Sequence, residues 1–151
     1  QEPPIDLAAD LPGMAVSGPW TVLGNRAGLG QVFLNILING IDALQQKAEG
    51  ARRLEVRLER QGVQILVRIA DSGMGMAAEV LRQAREPFFS TKPEGKGTGL
   101  GLAIASYIVE EHGGRLEIAS EPGQGTRISI ALPAAGAAQE TLSGFAECPP
   151  K

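Results

Sequence analysis

The chain has 151 residues with a net charge of −3 and a pI near 5.2. Hydrophobic residues make up 43% and charged residues 21%, one domain's worth of polypeptide with enough apolar material for a real core. There is no basic surplus to neutralise nucleic-acid phosphates, no uninterrupted apolar run near the ~20 residues that span a bilayer, and no signal-peptide pattern.

In chain order, the segment to Pro19 is rich in Pro and Asp, with short extended pieces expected around Ile5-Asp6-Leu7 and Met14-Ala15-Val16. Trp20-Thr21-Val22-Leu23 reads as a short strand or helix lead-in. From Arg26 to about Lys47, apolar residues recur at three- and four-residue spacing, which predicts a long amphipathic helix ended by Gly50. Leu54 to Leu58 and Val63 to Ile69 alternate around Gln61-Gly62, the pattern of a hairpin with one buried face. A short helix is predicted from Ala77 to about Gln83. Residues 85–97, rich in Gly, Pro, Ser, Thr and Lys, form a segment long enough to be a functional lid or a linker. Residues 99–111 read as a helix capped by Gly113, and Leu116 to Ala119 with Arg127 to Ala131 as a second hairpin around Pro122-Gly123-Gln124-Gly125. After Pro133 the pattern is lost, giving a domain over residues 1–133 and a frayed tail over 134–151. The tail carries the single cysteine, Cys148, which excludes an internal disulfide and makes a reducing, cytoplasmic setting the default. The expected fold is an α/β (α+β) two-layer sandwich, a mostly antiparallel mixed sheet covered on one face by helices.

Four clusters carry chemistry. Asn35, Asn39 and Asp42 share one face of the long helix amid aliphatic neighbours. A half-buried amide there needs partners, found either by capping a loop or by offering a carbonyl oxygen to a Mg²⁺ held mainly by phosphates and waters. Gly40 is costly inside a helix, which either close approach of a ligand or neighbouring backbone or a packing reason would rationalise. Asp71 closes a strand and is followed by Gly73 and Gly75, which is ordinary turn chemistry. It also suits an exocyclic amine such as adenine N6, because an ionised carboxylate only accepts hydrogen bonds. Gly95, Gly97, Gly99 and Gly101 alternate ahead of an apolar helix, so backbone N–H groups gather at its N-terminus as a phosphate cradle. The spacing is that of neither a dinucleotide fingerprint nor a P-loop. Lys92 and Lys96 lie in the same stretch and could reach phosphate charge, while Phe88 and Phe89 are expected to anchor it to the core. The single histidine, His112, rules out a His/Cys zinc cage; at a helix end it reads as a cation favoured by the dipole.

Taken in order, the clusters resemble the ATP-binding catalytic domain of bacterial sensor histidine kinases, members of the GHKL superfamily with the Bergerat fold, over residues 5–133. The Asn35…Asn39 helix is similar to the N box, Asp71-Ser72-Gly73-Met74-Gly75 to the first glycine box, and Glu86 to Lys92 to the F box. Gly97 to Leu102 is similar to the second glycine box, and Gly123-Gln124-Gly125-Thr126 to the final turn, whose Thr joins the Asp around adenine through water. Phe88 to Lys92 and Asn39 to Ala43 are most similar to the nitrogen-regulation and dicarboxylate-sensing branches. The resemblance implies ATP and Mg²⁺ under a mobile lid, with Asn39 as metal ligand and Asp71 as adenine anchor. The implied nucleotide contacts are Asn35, Asn39, Asp71, Gly73, Gly75, Lys92, Gly97, Thr98, Gly99, Leu100, Gly101, Leu102 and Thr126, with Asn35 and Lys92 assigned to catalysis.

Two departures from the family pattern stand out. Asp42 occupies a position that is basic in many such kinases, and Gly40 one where Ala is usual. The family's phosphoacceptor His lies on a separate dimerising helical hairpin and is usually followed by an acidic residue, whereas His112 is followed by Gly113. The resemblance therefore implies γ-phosphate transfer to a hairpin of the same kinase, a response regulator downstream, and no contact of this chain itself with nucleic acid or membrane, although a longer parent could be membrane-anchored. Two rivals remain. A gyrase- or chaperone-type ATPase would place a Glu base where Asn35 stands, and an amide cannot take that proton. A nucleotide-binding module would keep the pocket without transferring phosphate.

Overall fold

A computed structural model describes residues 21–47, 49–92 and 97–135, and the backbone of residues 6–10. The extended piece expected at residues 14–16, Trp20, Gly95, Lys96 and the tail from residue 136, with Cys148, lie outside the described residues.

Among the described residues, five strands form one mixed sheet: β1 (Asp6–Asp10), β2 (Arg53–Gln61), β3 (Gln64–Asp71), β4 (Arg115–Glu121) and β5 (Gly125–Pro133). The order is β1-β2-β3-β5-β4, with β1 parallel to β2 and every other pair antiparallel. Alternation does what the sequence implies. Leu54, Ile65, Val67, Ile69, Leu116, Ile128, Ile130 and Leu132 are buried on one face. The other face carries ion pairs, Arg57 to Glu55, Arg68 to Glu59 and Arg115 to Glu117. Both hairpins run longer than their apolar cores suggest, because the outward polar residues still pair through the ladder. Ala134 is also buried, its N–H donating to the Val63 carbonyl, so packing continues just past Pro133.

Three helices among the described residues cover the apolar face: α1 (Arg26–Gln45), α2 (Ala78–Gln83) and α3 (Gly101–Glu111). Asn25 caps α1, its side chain accepting from the Gly28 N–H at 3.1 Å. Val32, Ile36, Gly40 and Leu44, one residue per turn, pack on the sheet. By length and composition α1 could cross a membrane, yet this buried stripe makes it the core helix of the sandwich. A Cβ on Gly40 would stand 3.0 Å from Leu54 Cδ1, so the missing methyl lets α1 settle onto β2 beside Asp71. α3 begins at Gly101, two residues later than the pattern suggests. Gly99 has φ +65°, and a Cβ there would run into the Phe88 backbone, so the chain turns in a left-handed conformation before the helix starts.

Candidate functional site

A pocket of about 350 Å³ opens between α1, the first turn of α3, α2, the segment after α2 and the ends of β3 and β5. Strand register builds its floor. Asp71 pairs with Thr126 across β3 and β5, and Thr126 with Ser120 across β5 and β4, so three polar side chains follow one another at the same sheet end. Asp71 Oδ1 accepts from the Gly73 N–H at 2.9 Å and the Thr126 N–H at 3.3 Å. Its Oδ2 has no hydrogen-bond donor among the described residues, which leaves one carboxylate oxygen for a ligand. Burial raises the Asp71 pKa above the usual aspartate value, opposed by those two N–H groups and by the Lys47 charge. Lys47 is held nearby, donating to the Ser72 carbonyl at 2.6 Å. Ser120 ties the corner together: its Oγ accepts from the Met76 N–H, donates to the Gly125 carbonyl and shares a hydrogen bond with Thr126 Oγ1, all at 2.9 Å. Gly75 has φ +67°, and a Cβ there would collide with the Glu121 carbonyl, so only glycine lets this loop approach β4.

The roof is polar. Asn35 Nδ2 donates to the Gly101 carbonyl at 3.2 Å, and Asn35 Oδ1 accepts from Gln31 Nε2 at 2.8 Å. Its amide is thereby spent clamping α1 to the start of α3, the capping role open to it from sequence. Asn39 Oδ1 instead meets the Lys92 ammonium at 3.4 Å, and that ammonium also pairs with Asp42. Leu100, the N-cap of α3, offers no side-chain acceptor, so the first-turn amides remain available beside Gly101. No group of three His, Cys, Asp or Glu residues gathers among the described residues. A divalent cation here would draw most ligands from phosphate and water, with Asn39 Oδ1, already facing a cation, as the protein oxygen.

Of the residues singled out from sequence, Asn35, Asn39, Asp71, Gly75, Lys92, Gly97, Thr98, Gly99, Gly101, Leu102 and Thr126 line this pocket. Gly73 and Leu100 do not. Gly73 supports the Asp71 carboxylate from behind, and Leu100 is the N-cap residue of α3. Phe88 is corrected as well: it is 79% exposed at φ +67°, and only Phe89 turns into the pocket. His112 does more than end a helix: its Nε2 accepts the Asn25 N–H at 2.9 Å, and its Nδ1 lies 2.6 Å from the Ile108 carbonyl. The ring bridges the ends of α1 and α3.

Sequence reasoning missed the apolar walls Ile69, Met76, Val80, Ala84 and Ile128, which suit a flat ring. Ile69 was recoverable, since it shares the alternation that brings Asp71 to the floor; Val80 and Ile128 look like ordinary core. A larger hollow of about 900 Å³ lies along β4 and the open sheet face, but it is lined mainly by charged residues and holds none of the four clusters.

Residues 24–136 match the family described as histidine kinase-, DNA gyrase B-, and HSP90-like ATPase. The chain is 41% identical over 105 residues to the sensor histidine kinase ZraS of Escherichia coli O157:H7, spanning 70% of this chain and 22% of that protein. It is 40% identical over 110 residues to the C4-dicarboxylate transport sensor protein DctB of Rhizobium meliloti, spanning 73% and 17%. The latter agrees with the dicarboxylate-sensing likeness of the motifs. The solved mycobacterial sensor histidine kinase MprB superposes with a TM-score of 0.68 at 32% identity, over 86% of this chain and 82% of that one. The chain thus spans about a fifth of the length of the two full-length relatives.

Proposed function

This chain belongs to the family of histidine kinase-, DNA gyrase B- and HSP90-like ATPases, and from that premise we propose that it holds Mg-ATP in the pocket over Asp71 and presents the γ-phosphate to a histidine on a separate dimerising hairpin. One observation carries the reading: a carboxylate with a free oxygen, a carboxamide facing a cation, a lysine and an uncapped helix start converge on one pocket with apolar walls. Asp71 Oδ2 accepts from the adenine amine, while Thr126 and Ser120 fix the Asp71 corner. Asn39 Oδ1 would hold the metal, which when bound would neutralise phosphate charge. The amides at Gly101 and Leu102 face the phosphates, and Lys92 offsets charge developing in transfer. Residues 89–92 and 97–99 line the pocket and act as the described parts of a lid.

A hydrolytic ATPase fits less well. The Asn35 amide has no proton-accepting nitrogen and is engaged on both sides by Gln31 and Gly101. The downstream partner of a kinase of this kind is a response regulator.

Asn39→Ala tests the assignment. The metal loses its protein oxygen, so the gain in ATP affinity that Mg²⁺ gives the wild type should shrink by roughly tenfold, the size of one lost interaction with a charged group. Calorimetric titrations with Mg²⁺ and with chelator provide the comparison; an unchanged Mg²⁺ effect in the variant removes Asn39 from the metal site.

A further inference from the structure

Within the pocket, Lys92 is the only cation among the described lining residues, and it is not free. Its Nζ pairs with Asp42 Oδ2 and donates to Asn39 Oδ1 at 3.4 Å, reaching from the segment after α2 back onto α1. Asn39 and Asp42, three positions apart on the helix, turn their oxygens to the same side. One ammonium therefore sits on the carboxamide oxygen assigned to the metal. The pair is substantially covered, with Lys92 and Asp42 side chains 24% and 32% exposed. It cancels a carboxylate that would otherwise face incoming phosphates. Two cations cannot share Asn39 Oδ1 without strong repulsion, so a pocket loaded with metal must release Lys92.

We propose, on the reading of this pocket as a Mg-ATP site, that Asp42 is a positioning residue that parks Lys92 on the metal seat and makes binding selective for the metal-complexed nucleotide. Asp42 holds the ammonium against Asn39. On loading, Asn39 Oδ1 is given over to the divalent ion and Lys92 turns from Asp42 to a phosphate oxygen. Nucleotide without metal meets two obstacles together: it must take Lys92 from Asp42, and it then faces the uncovered carboxylate. The metal's own charge offsets both. The acidic residue at this position, opposite in sign to that of many related domains, thereby acquires a role that depends on Lys92.

The test is a double-mutant cycle read by calorimetry, titrating ATP in chelator and in excess Mg²⁺ into the wild-type chain, Asp42→Asn, Lys92→Met and the double variant, each checked by thermal unfolding. Asp42→Asn should tighten metal-free ATP roughly two- to fivefold, the strength of a partly exposed ion pair, and reduce the Mg²⁺ dependence accordingly. In the Lys92→Met background the same change should give a smaller gain, that of removing the uncovered carboxylate alone. A gain of equal size without Lys92 would mean simple repulsion between Asp42 and phosphate and would overturn the exchange, as would no gain at all with Lys92 present. A second measurement needs no nucleotide. Amide hydrogen exchange at residues 90–92 should quicken in Asp42→Asn, and unchanged rates would show that Asp42 does not hold this segment. Failure of the wild-type chain to bind ATP in either buffer would instead remove the pocket reading on which the exchange rests.

Discussion

Asp71 serves two demands with its two oxygens. Oδ1 is committed to the Gly73 and Thr126 N–H groups, and Oδ2 is left for a donor from outside the chain. An asparagine could keep the first bonds through its own oxygen and would then present an amide N–H donor to the amine donor of adenine. Asp71→Asn should therefore fold normally yet lose about 1.5–3 kcal/mol of ATP affinity, as measured by calorimetry. The same residue sets a pH dependence. Burial raises its folded pKa, so the protonated acid favours the fold; that contribution is complete below the ordinary aspartate range and disappears as pH rises through the raised value. The asparagine variant has no charge to desolvate and should be at least as stable as the wild type at neutral pH, without the wild type's loss of stability across that window. Nucleotide affinity runs in the opposite sense, weakening as pH falls through the raised pKa, because a protonated Oδ2 no longer only accepts. Thermal unfolding and titration over that window give both curves. Parallel curves for wild type and variant would take Asp71 out of the account.

At the scale of elements, α3 is pinned to α1 at both its ends by polar bridges. Near the site Asn35 holds the Gly101 carbonyl, and at the far end His112 joins the Asn25 N–H to the Ile108 carbonyl. A Cβ on Gly24 would fall on the His112 ring, so the chain entering α1 depends on that contact having no side chain in its way. His112→Ala should cost about 0.5–1.5 kcal/mol in urea unfolding through the lost hydrogen bonds. It should leave ATP affinity unchanged, because its α3, of 11 residues, places the bridge on the order of 16 Å from the first turn. A variant of wild-type stability would reduce His112 to a bystander. These elements also mark what can be read from sequence. The helices and hairpins announce themselves by period, and the Asn, Asp and Gly clusters by their order along the chain. What local pattern leaves hidden is pairing at long range: only the family resemblance joins Thr126 to Asp71, and nothing in the sequence brings Ser120 under the Met76 amide. Phe88 and Phe89 are alike in sequence, and a positive φ at Phe88 separates the exposed ring from the one in the pocket. Asp42 shows in the sequence as an exception to a pattern, and its partner appears only once Lys92 is folded back onto α1.

At the scale of the whole molecule, the proposed labour is divided between this chain and an acceptor it does not contain in its described residues. His112 is the only histidine in the sequence, and both ring nitrogens are engaged at the end of α3 remote from the phosphate cradle. In-line attack from there on a γ-phosphate held near Gly101 is geometrically excluded. Water fares little better, since no carboxylate stands at the Asn35 position to accept its proton. The purified chain should therefore bind Mg-ATP, take no label from radioactive ATP and hydrolyse it slowly. Given a dimeric helical hairpin from its own kinase with an accessible histidine, it should transfer phosphate in trans. The hairpin brings the nucleophile, and this chain brings position and charge neutralisation, which carry most of the catalysis in phosphoryl transfer. Label on His112 of the isolated chain would contradict the bridge geometry. Rapid hydrolysis would return the ATPase alternative, and an unlabelled cognate hairpin beside a nucleotide-saturated chain would leave a binding module in place of a kinase domain.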